Sequence, residues 1–229
     1  MPTRFVQENT LLSFLQAIQA GADGIEFDLR VSKDGELVVG HDKDLSRIAG
    51  IPLSMNKLTV KELRALSLRG AGQILTFNEI TESIPSPVQL DVEVKDVNAV
   101  PALITKLRTS TQLRERTIIS SFDCKVLEEL QKELPDVRRL LLLHTWSVLR
   151  GSKDFWKNIL ALKPWAVGAR GGSLTKKRME WLRANNVLVA AYDKANSNMA
   201  TKRIVNKGVD VAITYRPHVA RKMLAIIKN

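Results

Sequence analysis

The sequence is poor in the residues that form disulfides or bind zinc. Its 229 residues include one cysteine, Cys124, and three histidines. A single cysteine cannot form an intrachain disulfide, and no histidine lies at the spacing that zinc sites use. The composition therefore excludes a disulfide-rich scaffold and argues against a zinc enzyme. It favours a cytoplasmic protein, because free thiols are typical of reducing compartments.

Long apolar runs, repeats and flexible linkers are also lacking. No apolar run approaches the length of about 18 residues that a membrane-spanning helix needs, and no charged-then-apolar leader opens the chain. No Ser/Gly/Pro-rich stretch divides the sequence. We therefore predict one domain over residues 1–229, with no membrane span. The oligomeric state is not indicated.

Acidic residues are outnumbered by basic ones, 24 against 35, which gives a formal net charge of +11. The basic residues cluster at Arg138-Arg139, Lys176-Lys177-Arg178 and Arg221-Lys222. Aromatic residues rarely interrupt these clusters and no nucleic-acid-binding module is recognisable. We interpret the clusters as solvated surfaces and predict no specific nucleic-acid partner. A positive field would also attract small anionic phosphodiesters.

Acidic residues recur at alternate positions in two apolar segments. Glu26 and Asp28 are separated by one apolar residue, and so are Asp91 and Glu93. Side chains two residues apart on a β-strand point to the same face. Each segment therefore predicts a buried strand with two carboxylates on one side. Unpaired charges in a protein interior cost several kcal/mol or more, so these carboxylates need a positive partner.

A hard divalent cation would relieve this repulsion, because Mg²⁺ and Ca²⁺ prefer carboxylate oxygens. We predict that Glu26, Asp28 and Glu93 hold such a cation, with Mg²⁺ and Ca²⁺ both open. Taken singly, Glu26 or Asp91 can instead pair with a lysine or arginine, or lie at a solvated strand end. We assign Asp91 a structural role.

A histidine follows a short predicted strand. Lys33-Asp34-Gly35 is typical of a hairpin turn, and residues 36–40 then lead to His41. The turn directs His41 back toward Glu26 and Asp28, and an imidazole there can exchange a proton near pH 7. We predict a catalytic role for His41. No such neighbours accompany His144 and His218, which we interpret as structural.

These segments together resemble the glycerophosphodiester phosphodiesterases. The resemblance rests on Gln7-Glu8-Asn9-Thr10, residues 21–28, Lys33-Asp34-Gly35, residues 38–42 and Glu93-Val94-Lys95, and it continues through Ser120-Ser121-Phe122 and Gly208-Val209-Asp210. It covers essentially the whole chain, and its most specific part is the block from 21 to 42.

The resemblance implies a TIM barrel and a metal-dependent hydrolysis. It makes Glu26, Asp28 and Glu93 the ligands of a divalent cation, His41 one of two acid/base histidines, and Lys95 a ligand of the substrate phosphate. The implied reaction converts a glycerophosphodiester to an alcohol and glycerol 3-phosphate. In it, a hydroxyl of the substrate attacks phosphorus to give a cyclic phosphate, which water then opens.

The sequence departs from the family pattern in three places. The family's first strand ends in His-Arg-Gly, which these 229 residues do not contain. We therefore expect the first barrel strand to be absent, with strands 24–29 and 209–214 each presenting an edge. Ala190-Ala191-Tyr192-Asp193 stands where the family has a Trp-Thr-Val-Asn-like strand, and Tyr215 replaces a usual Asp. These changes concern substrate choice and the rim of the site.

Hydrophobic periodicity independently favours an alternating α/β architecture. Predicted barrel strands are 24–29, 88–94, 117–121, 139–143, 166–169, 187–192 and 209–214. Predicted helices are 10–20, 59–66, 98–109, 124–133, 153–162, 175–185, 197–206 and 217–228. Residues 30–58 fit neither, and we interpret them as a small insertion at the catalytic face, since such loops lie at the carboxyl ends of barrel strands.

Two other functions remain open. One is a catalytically impaired relative that binds phosphorylated ligands or polyanions without turnover. The other is a phosphodiesterase that acts on another lipid head group. The alcohol that is released is not indicated by the sequence.

Overall fold

The computed structural model describes residues 7–66, 68, 72–144, 153–193 and 195–227. The chain forms two compact units. Unit 1 comprises Met1–Ile18 and Asp23–Thr117, and unit 2 comprises Gln19–Ala22 and Ile118–Asn229.

The described residues of unit 1 form five strands and six α-helices. The strands are β1 (Gly24–Val31), β2 (Leu37–Val39), β3 (Asp44–Leu45), β4 (Ile51–Ser54) and β5 (Gln89–Val94). The helices are α1 (Leu11–Gln19), α2 (Ser46–Ala49), α3 (Val60–Arg64), α4 (Phe77–Ser83), α5 (Val100–Arg108) and α6 (Thr111–Arg116).

Strand β1 lies between β2 and β5. It pairs with β5 in parallel from Gly24 opposite Gln89 to Leu29 opposite Val94. Its last residues pair with β2 in an antiparallel hairpin. The hairpin turn places Gly35 at φ 82°, a conformation that glycine adopts without steric cost. Strands β3 and β4 form a separate two-stranded sheet.

The core of unit 1 is built on the apolar face of β1. Phe27 is fully buried and its ring lies 6.0 Å from that of Phe14 on α1 and 6.2 Å from that of Phe77 on α4. Aromatic pairs at such distances contribute beyond the area they bury. Alternation along the strand therefore leaves Glu26 and Asp28 on the opposite face.

Unit 2 continues the βα alternation. Its strands are β6 (Thr117–Ser121, which begins at the boundary with unit 1), β7 (Arg138–Leu143), β8 (Ala166–Arg170), β9 (Leu188–Tyr192) and β10 (Val211–Ile213). Its helices are α7 (Cys124–Glu133), α8 (Lys153–Ala161), α9 (Lys176–Ala184), α10 (Asn198–Asn206) and α11 (Pro217–Ile227).

The strands of unit 2 pair in chain order, and every pairing from β6 to β10 is parallel. Alternate strand residues divide into two apolar clusters. Leu141, Val167 and Val189 pack with helix residues in one cluster, whereas Leu140 and Ala190 belong to the other. Parallel strands that are buried on both faces read as continuous apolar runs, which explains the sequence of β7.

The predicted elements correspond closely to the observed ones. All seven predicted barrel strands are present as parallel strands, and the eight predicted helices are present, with Lys228 outside the described residues. Strand β1 is longer than expected and continues through Val31, two residues into the segment interpreted as an insertion. Helices α2, α4 and α6 were not predicted. The prediction that residues 1–229 form one domain stays a prediction.

One of the two expected strand edges differs from the sequence-based prediction. The outer edge of β1 is covered by β2 at residues 29–31, so only the amino-terminal part of that edge lacks a neighbouring strand in the described chain. Strand β2 thus pairs with the part of this edge that an additional barrel strand would otherwise cover. Among the described helices, none combines the length and apolarity that crossing a bilayer requires.

Candidate active site

The four acids singled out in the sequence lie side by side in unit 1. The parallel register of β1 and β5 places Glu26 opposite Asp91 and Asp28 opposite Glu93. Directly opposed side chains on neighbouring strands lie within interaction distance. The pairing therefore produces a carboxylate-rich face on these two strands.

Three of the acids converge. Glu26, Asp28 and Glu93 each offer a carboxylate oxygen, and these oxygens lie within 4.8 Å of one another. Asp28 and Glu93 are buried, with 5% and 8% of their surface exposed. We call these three residues the acidic cluster. Three converging oxygen donors match the ligand preference of Mg²⁺ and Ca²⁺.

Lys95 neutralises part of this charge. Its ammonium group lies 2.5 Å from Glu93 Oε1 and 3.2 Å from Asp28 Oδ1. Burial lowers the pKa of Lys95, but the two carboxylates outweigh burial and raise it. Lys95 therefore keeps its positive charge beside the acidic cluster.

One lysine does not satisfy three carboxylates. Burial, followed by repulsion from Asp28, Asp91 and Glu93, raises the pKa of Glu26 well above its ordinary value. Burial also raises the pKa of Glu93, against the opposing effect of Lys95. A raised carboxyl pKa means that the ionised form is unstable in this surrounding. The acidic cluster thus has an excess of negative charge that a cation would stabilise.

His41 follows β2 and is half exposed, with its Nδ1 2.8 Å from Asp42 Oδ1. Arg30, on β1, donates from Nε to the carbonyl of Gly40 at 3.1 Å and from Nη2 to the carbonyl of His41 at 2.7 Å. The backbone N–H of Gly40 donates to the carbonyl of Asp28 at 3.0 Å. The hairpin therefore anchors the backbone of His41 next to the strand that carries Glu26 and Asp28, as its sequence position predicted.

Gly40 has a steric role at this point. A Cβ atom there would collide with the side chain of Met55, which is buried. The absence of a side chain at position 40 lets the chain pass Met55 closely before it reaches His41. This requirement is steric, because Gly40 is not one of the glycines at positive φ.

Asn9 is a site residue that the sequence reasoning did not identify. Its Nδ2 donates to Asp28 Oδ2 at 2.8 Å, and its Oδ1 accepts from the backbone N–H of Asp28 at 3.2 Å. Asn9 has φ 58°, a left-handed conformation that asparagine tolerates. Thr10, the next residue, caps α1 by accepting from the backbone N–H of Ser13 at 3.2 Å. The amide of Asn9 instead orients a carboxylate of the acidic cluster.

The remaining candidates lie elsewhere. His144 follows β7 in unit 2, where its ring stacks on that of Phe122 with 4.2 Å between centroids. His218 lies in α11. Asp91 is partly exposed on β5 and its carboxyl contributes to the charge around Glu26. The structural interpretation of these three residues stays a prediction.

Comparison with protein families gives one match over nearly the whole chain. Residues 1–219 match the model of the glycerophosphoryl diester phosphodiesterase family. A glycerophosphodiester phosphodiesterase of Bacillus altitudinis is 28% identical over 229 aligned residues, covering 94% of this chain and 92% of that protein. A human lysophospholipase D is 26% identical over 171 aligned residues, covering 69% of this chain and 54% of that protein.

Solved structures give the same result. The glycerophosphodiester phosphodiesterase of Thermotoga maritima superposes with a TM-score of 0.79 at 26% identity, covering 94% of this chain and 92% of that one. A phosphodiesterase of Oleispira antarctica, solved with its product sn-glycerol-3-phosphate, superposes with a TM-score of 0.81 at 22% identity, covering 97% of this chain and 92% of that one.

These comparisons confirm the predicted fold class, a TIM (β/α)₈-type barrel. Within the described residues, no strand precedes β1, so the barrel is incomplete there. The comparisons also confirm the family suggested by the residues around the acidic cluster. The chain therefore belongs to the glycerophosphoryl diester phosphodiesterase family, whose members are phosphoric diester hydrolases.

Proposed function

We propose that this protein hydrolyses glycerophosphodiesters to glycerol 3-phosphate and an alcohol, with a divalent cation held by Glu26, Asp28 and Glu93. The observation that carries the proposal is the convergence of three carboxylates within 4.8 Å beside a charged lysine. Such an arrangement suits a divalent-cation site better than a structural ion pair, because the negative charge of three carboxylates exceeds the single positive charge of Lys95.

The acidic cluster fits a hard cation by its donor chemistry. All three donors are carboxylate oxygens. The raised pKa values of Glu26 and Glu93, caused by burial and by neighbouring carboxylates, support a cation as an additional partner. A bound Mg²⁺ or Ca²⁺ would neutralise the phosphate and activate a glycerol hydroxyl. Asn9 holds Asp28 in place for this role through its two hydrogen bonds.

The chain's own residues supply the remaining functions. Lys95 contributes a fixed positive charge to phosphoryl oxygens, where charge develops during the reaction. His41 moves a proton to or from a substrate oxygen, since its imidazole is half exposed and close enough to Glu93 to act on the pKa of that carboxyl. Product identity follows the Oleispira antarctica relative, which was solved with sn-glycerol-3-phosphate.

The setting of the reaction is part of the proposal. The substrate is a small molecule of phospholipid breakdown, which places the enzyme in lipid and glycerol metabolism. We propose a cytoplasmic location, supported by the free, exposed thiol of Cys124.

Lysophospholipids are a second candidate substrate class. A human lysophospholipase D is among the relatives of this chain. A lysophospholipid shares the glycerophosphodiester group and adds one acyl chain. The choice between the two classes thus concerns groups that bind outside the acidic cluster.

The test is a direct assay of the purified chain. Glycerophosphocholine, glycerophosphoethanolamine and lysophosphatidylcholine are each incubated with Mg²⁺, with Ca²⁺ or with EDTA. Glycerol 3-phosphate is measured for the first two substrates, lysophosphatidate for the third, and the free alcohol for all three. We expect glycerol 3-phosphate release that requires a divalent cation. Metal-induced stabilisation without turnover of any substrate would contradict the proposal and favour a ligand-binding relative.

A further inference from the structure

A series of charged contacts links three segments of unit 1 to the imidazole of His41. Asp42 Oδ1 lies 2.8 Å from His41 Nδ1. Arg47, on α2, donates from Nε to Asp42 Oδ2 at 2.5 Å and from Nη2 to Glu8 Oε1 at 2.6 Å. Glu8 precedes α1. The two oxygens of Asp42 are therefore divided between Arg47 and His41.

This division fixes the role of each His41 nitrogen. Burial raises the pKa of Asp42, but hydrogen bonds from Arg47 and His41 outweigh burial and lower it. An ionised carboxylate only accepts hydrogen bonds, so Nδ1 of His41 must carry the hydrogen. In the neutral ring, the lone pair then lies on Nε2.

The orientation of Asp42 is set by Arg47. A carboxylate bound to His41 alone could rotate or move into solvent, because the pair is partly exposed. With Oδ2 held by Arg47, such a rotation costs a charge-assisted hydrogen bond. Glu8 accepts a hydrogen bond from Nη2 of the same guanidinium. This second contact limits the motion of the Arg47 side chain. Arg30 separately fixes the backbone carbonyls of Gly40 and His41.

We propose that Arg47 is a positioning residue that acts through Asp42: together they hold the His41 imidazole as its Nδ1–H tautomer, with Nε2 as the nitrogen that exchanges a proton with the substrate. The expected effect on kcat rests on the proposed function. The expected tautomer of His41 rests on the hydrogen-bond geometry alone.

A purely structural ion pair would behave differently. Exposed pairs contribute little to stability, and the side chains of Arg47 and Asp42 are 53% and 27% exposed. Removing Arg47 should shift the melting temperature by no more than about 2–4 °C. The proposed role instead predicts a loss in kcat at unchanged KM, and only when His41 is present.

The kinetic test is a double-mutant cycle. Asp42→Asn and Arg47→Ala are each made with His41 present and in the His41→Ala background. With His41 present, we expect kcat to fall at least about tenfold for each variant. The upper limit of the loss is the factor of about 10² to 10⁴ that a general acid or base contributes. Without His41, we expect no further loss. Equal losses in both backgrounds would overturn the proposal.

The control is Arg64→Ala. Arg64 forms a surface ion pair with Glu79 at 2.8 Å, with side-chain exposures of 41% and 40%. It resembles the Arg47 pair in chemistry and exposure but makes no contact with His41. We expect its kcat to equal that of the wild type. Arg47→Lys should retain part of the rate, since lysine keeps the charge but not the planar guanidinium.

The structural test does not depend on turnover. The chain contains three histidines, so the long-range ¹H–¹⁵N spectrum of the imidazoles can be assigned with His→Gln variants. At pH 8 we expect His41 as the Nδ1–H tautomer in the wild type, and a shift toward Nε2–H in Asp42→Asn and Arg47→Ala. An unchanged tautomer in both variants would refute the positioning role. Absence of turnover in the wild type with the expected tautomers would refute the proposed function alone.

Discussion

Two regions of the molecule bury charge in opposite ways. In unit 1, the carboxylates of the acidic cluster share Lys95. In unit 2, the guanidinium of Arg139 on β7 is buried and donates from Nη1 to the carbonyls of Leu134, Pro135 and Val137 and from Nη2 to that of Lys163, at 2.8 to 3.4 Å. The partners of Arg139 are fixed backbone dipoles, whereas those of Lys95 are carboxyl side chains.

This difference separates a structural charge from a functional one. The carbonyls around Arg139 belong to one turn and to the segment before β8, so the cation joins parts of the backbone. The acidic cluster has more carboxylates than the single charge of Lys95 can neutralise. Its excess carboxylates instead leave a place for an additional cation. A buried cation that binds backbone carbonyls stabilises the fold, whereas carboxylates in excess of their positive partners indicate a ligand site.

The largest expected effect is that of Glu26→Gln. The amide has nearly the same shape but cannot contribute a negative charge, so we expect metal-induced stabilisation to be lost and kcat to fall by roughly 10³-fold or more, since the metal supplies several kcal/mol of charge stabilisation. Thermal melting with and without Mg²⁺ or Ca²⁺, and the phosphodiesterase assay, measure both quantities.

The matched control for Glu26→Gln is Glu128→Gln on α7, which is exposed. It should retain both the metal-induced shift and the rate. A full metal-induced shift in Glu26→Gln would show that Glu26 is not a ligand. The acidic cluster would then not differ from Arg139 in binding a ligand.

The second prediction concerns Arg139→Met, the opposite case. Methionine fills similar volume but leaves buried carbonyls without donors, so we expect a loss of about 3–5 kcal/mol in the free energy of unfolding. The activity of the folded fraction should be unchanged. Chemical denaturation gives the first quantity and activity at 15 °C, corrected for the folded fraction, gives the second. A strong loss of activity at unchanged stability would contradict the structural role of this cation.

The third prediction follows from the raised pKa values of Glu26 and Glu93. In EDTA, the folded state holds these protons more tightly than the unfolded state does. Stability should therefore be greatest below the pKa of an unfolded glutamate and fall as the pH rises through the folded-state values. With saturating Mg²⁺ or Ca²⁺ the trend should reverse, because cation and protons compete for the same oxygens.

Melting temperatures between pH 5 and pH 8, with EDTA and with metal, test this dependence. Glu26→Gln should flatten the EDTA curve, whereas Glu128→Gln should not. In the wild type, a melting temperature that rises with pH in EDTA would mean that Lys95 already neutralises the ionised acidic cluster. The acidic cluster would then be a structural charge, as Arg139 is.

The smallest expected effect is that of Asn9→Ala. The change removes two hydrogen bonds to Asp28 and places alanine at φ 58°. Together these should cost about 1–3 kcal/mol in the free energy of unfolding. Metal affinity should fall by about 10- to 100-fold, as expected for a residue that orients a ligand. Asn9→Gly separates the two causes, because glycine removes the amide without the backbone strain. Equal metal affinity in wild type and Asn9→Gly would contradict the orienting role.

The sequence predicted the strands and the acidic cluster because both depend on local alternation. Glu26 and Asp28 mark one face of β1, and parallel pairing brings that face next to Asp91 and Glu93. Three helices were missed. Helix α2 has four residues, too few to show a periodic pattern. Helix α4 is short, although Thr76 and Glu79 form the capping box that signals its start. Helix α6 is short and largely polar, so its periodicity is weak.

The contacts of Asn9 and Arg47 could not be predicted in the same way. Asn9 binds a residue 19 positions away, and Arg47 binds Glu8 at a separation of 39 positions. Hydrogen-bond partners at such separations depend on how α1, the hairpin and α2 pack together. The sequence indicated which segments carry chemistry, whereas the orienting residues became visible only in the folded chain.

The register of β1 has a consequence for the order of folding. Gly24 pairs with Gln89, whereas in unit 2 Ala166 pairs with Leu188. Closing the longer segment costs on the order of 1 kcal/mol more in chain entropy. We therefore expect the β7–β9 pairings to form early and the β1–β5 pairing late in refolding. A divalent cation held by Glu26 and Glu93 would stabilise the β1–β5 pairing, which is the slowest to form. Refolding in Mg²⁺ or Ca²⁺ should then leave fewer chains in a partly folded intermediate.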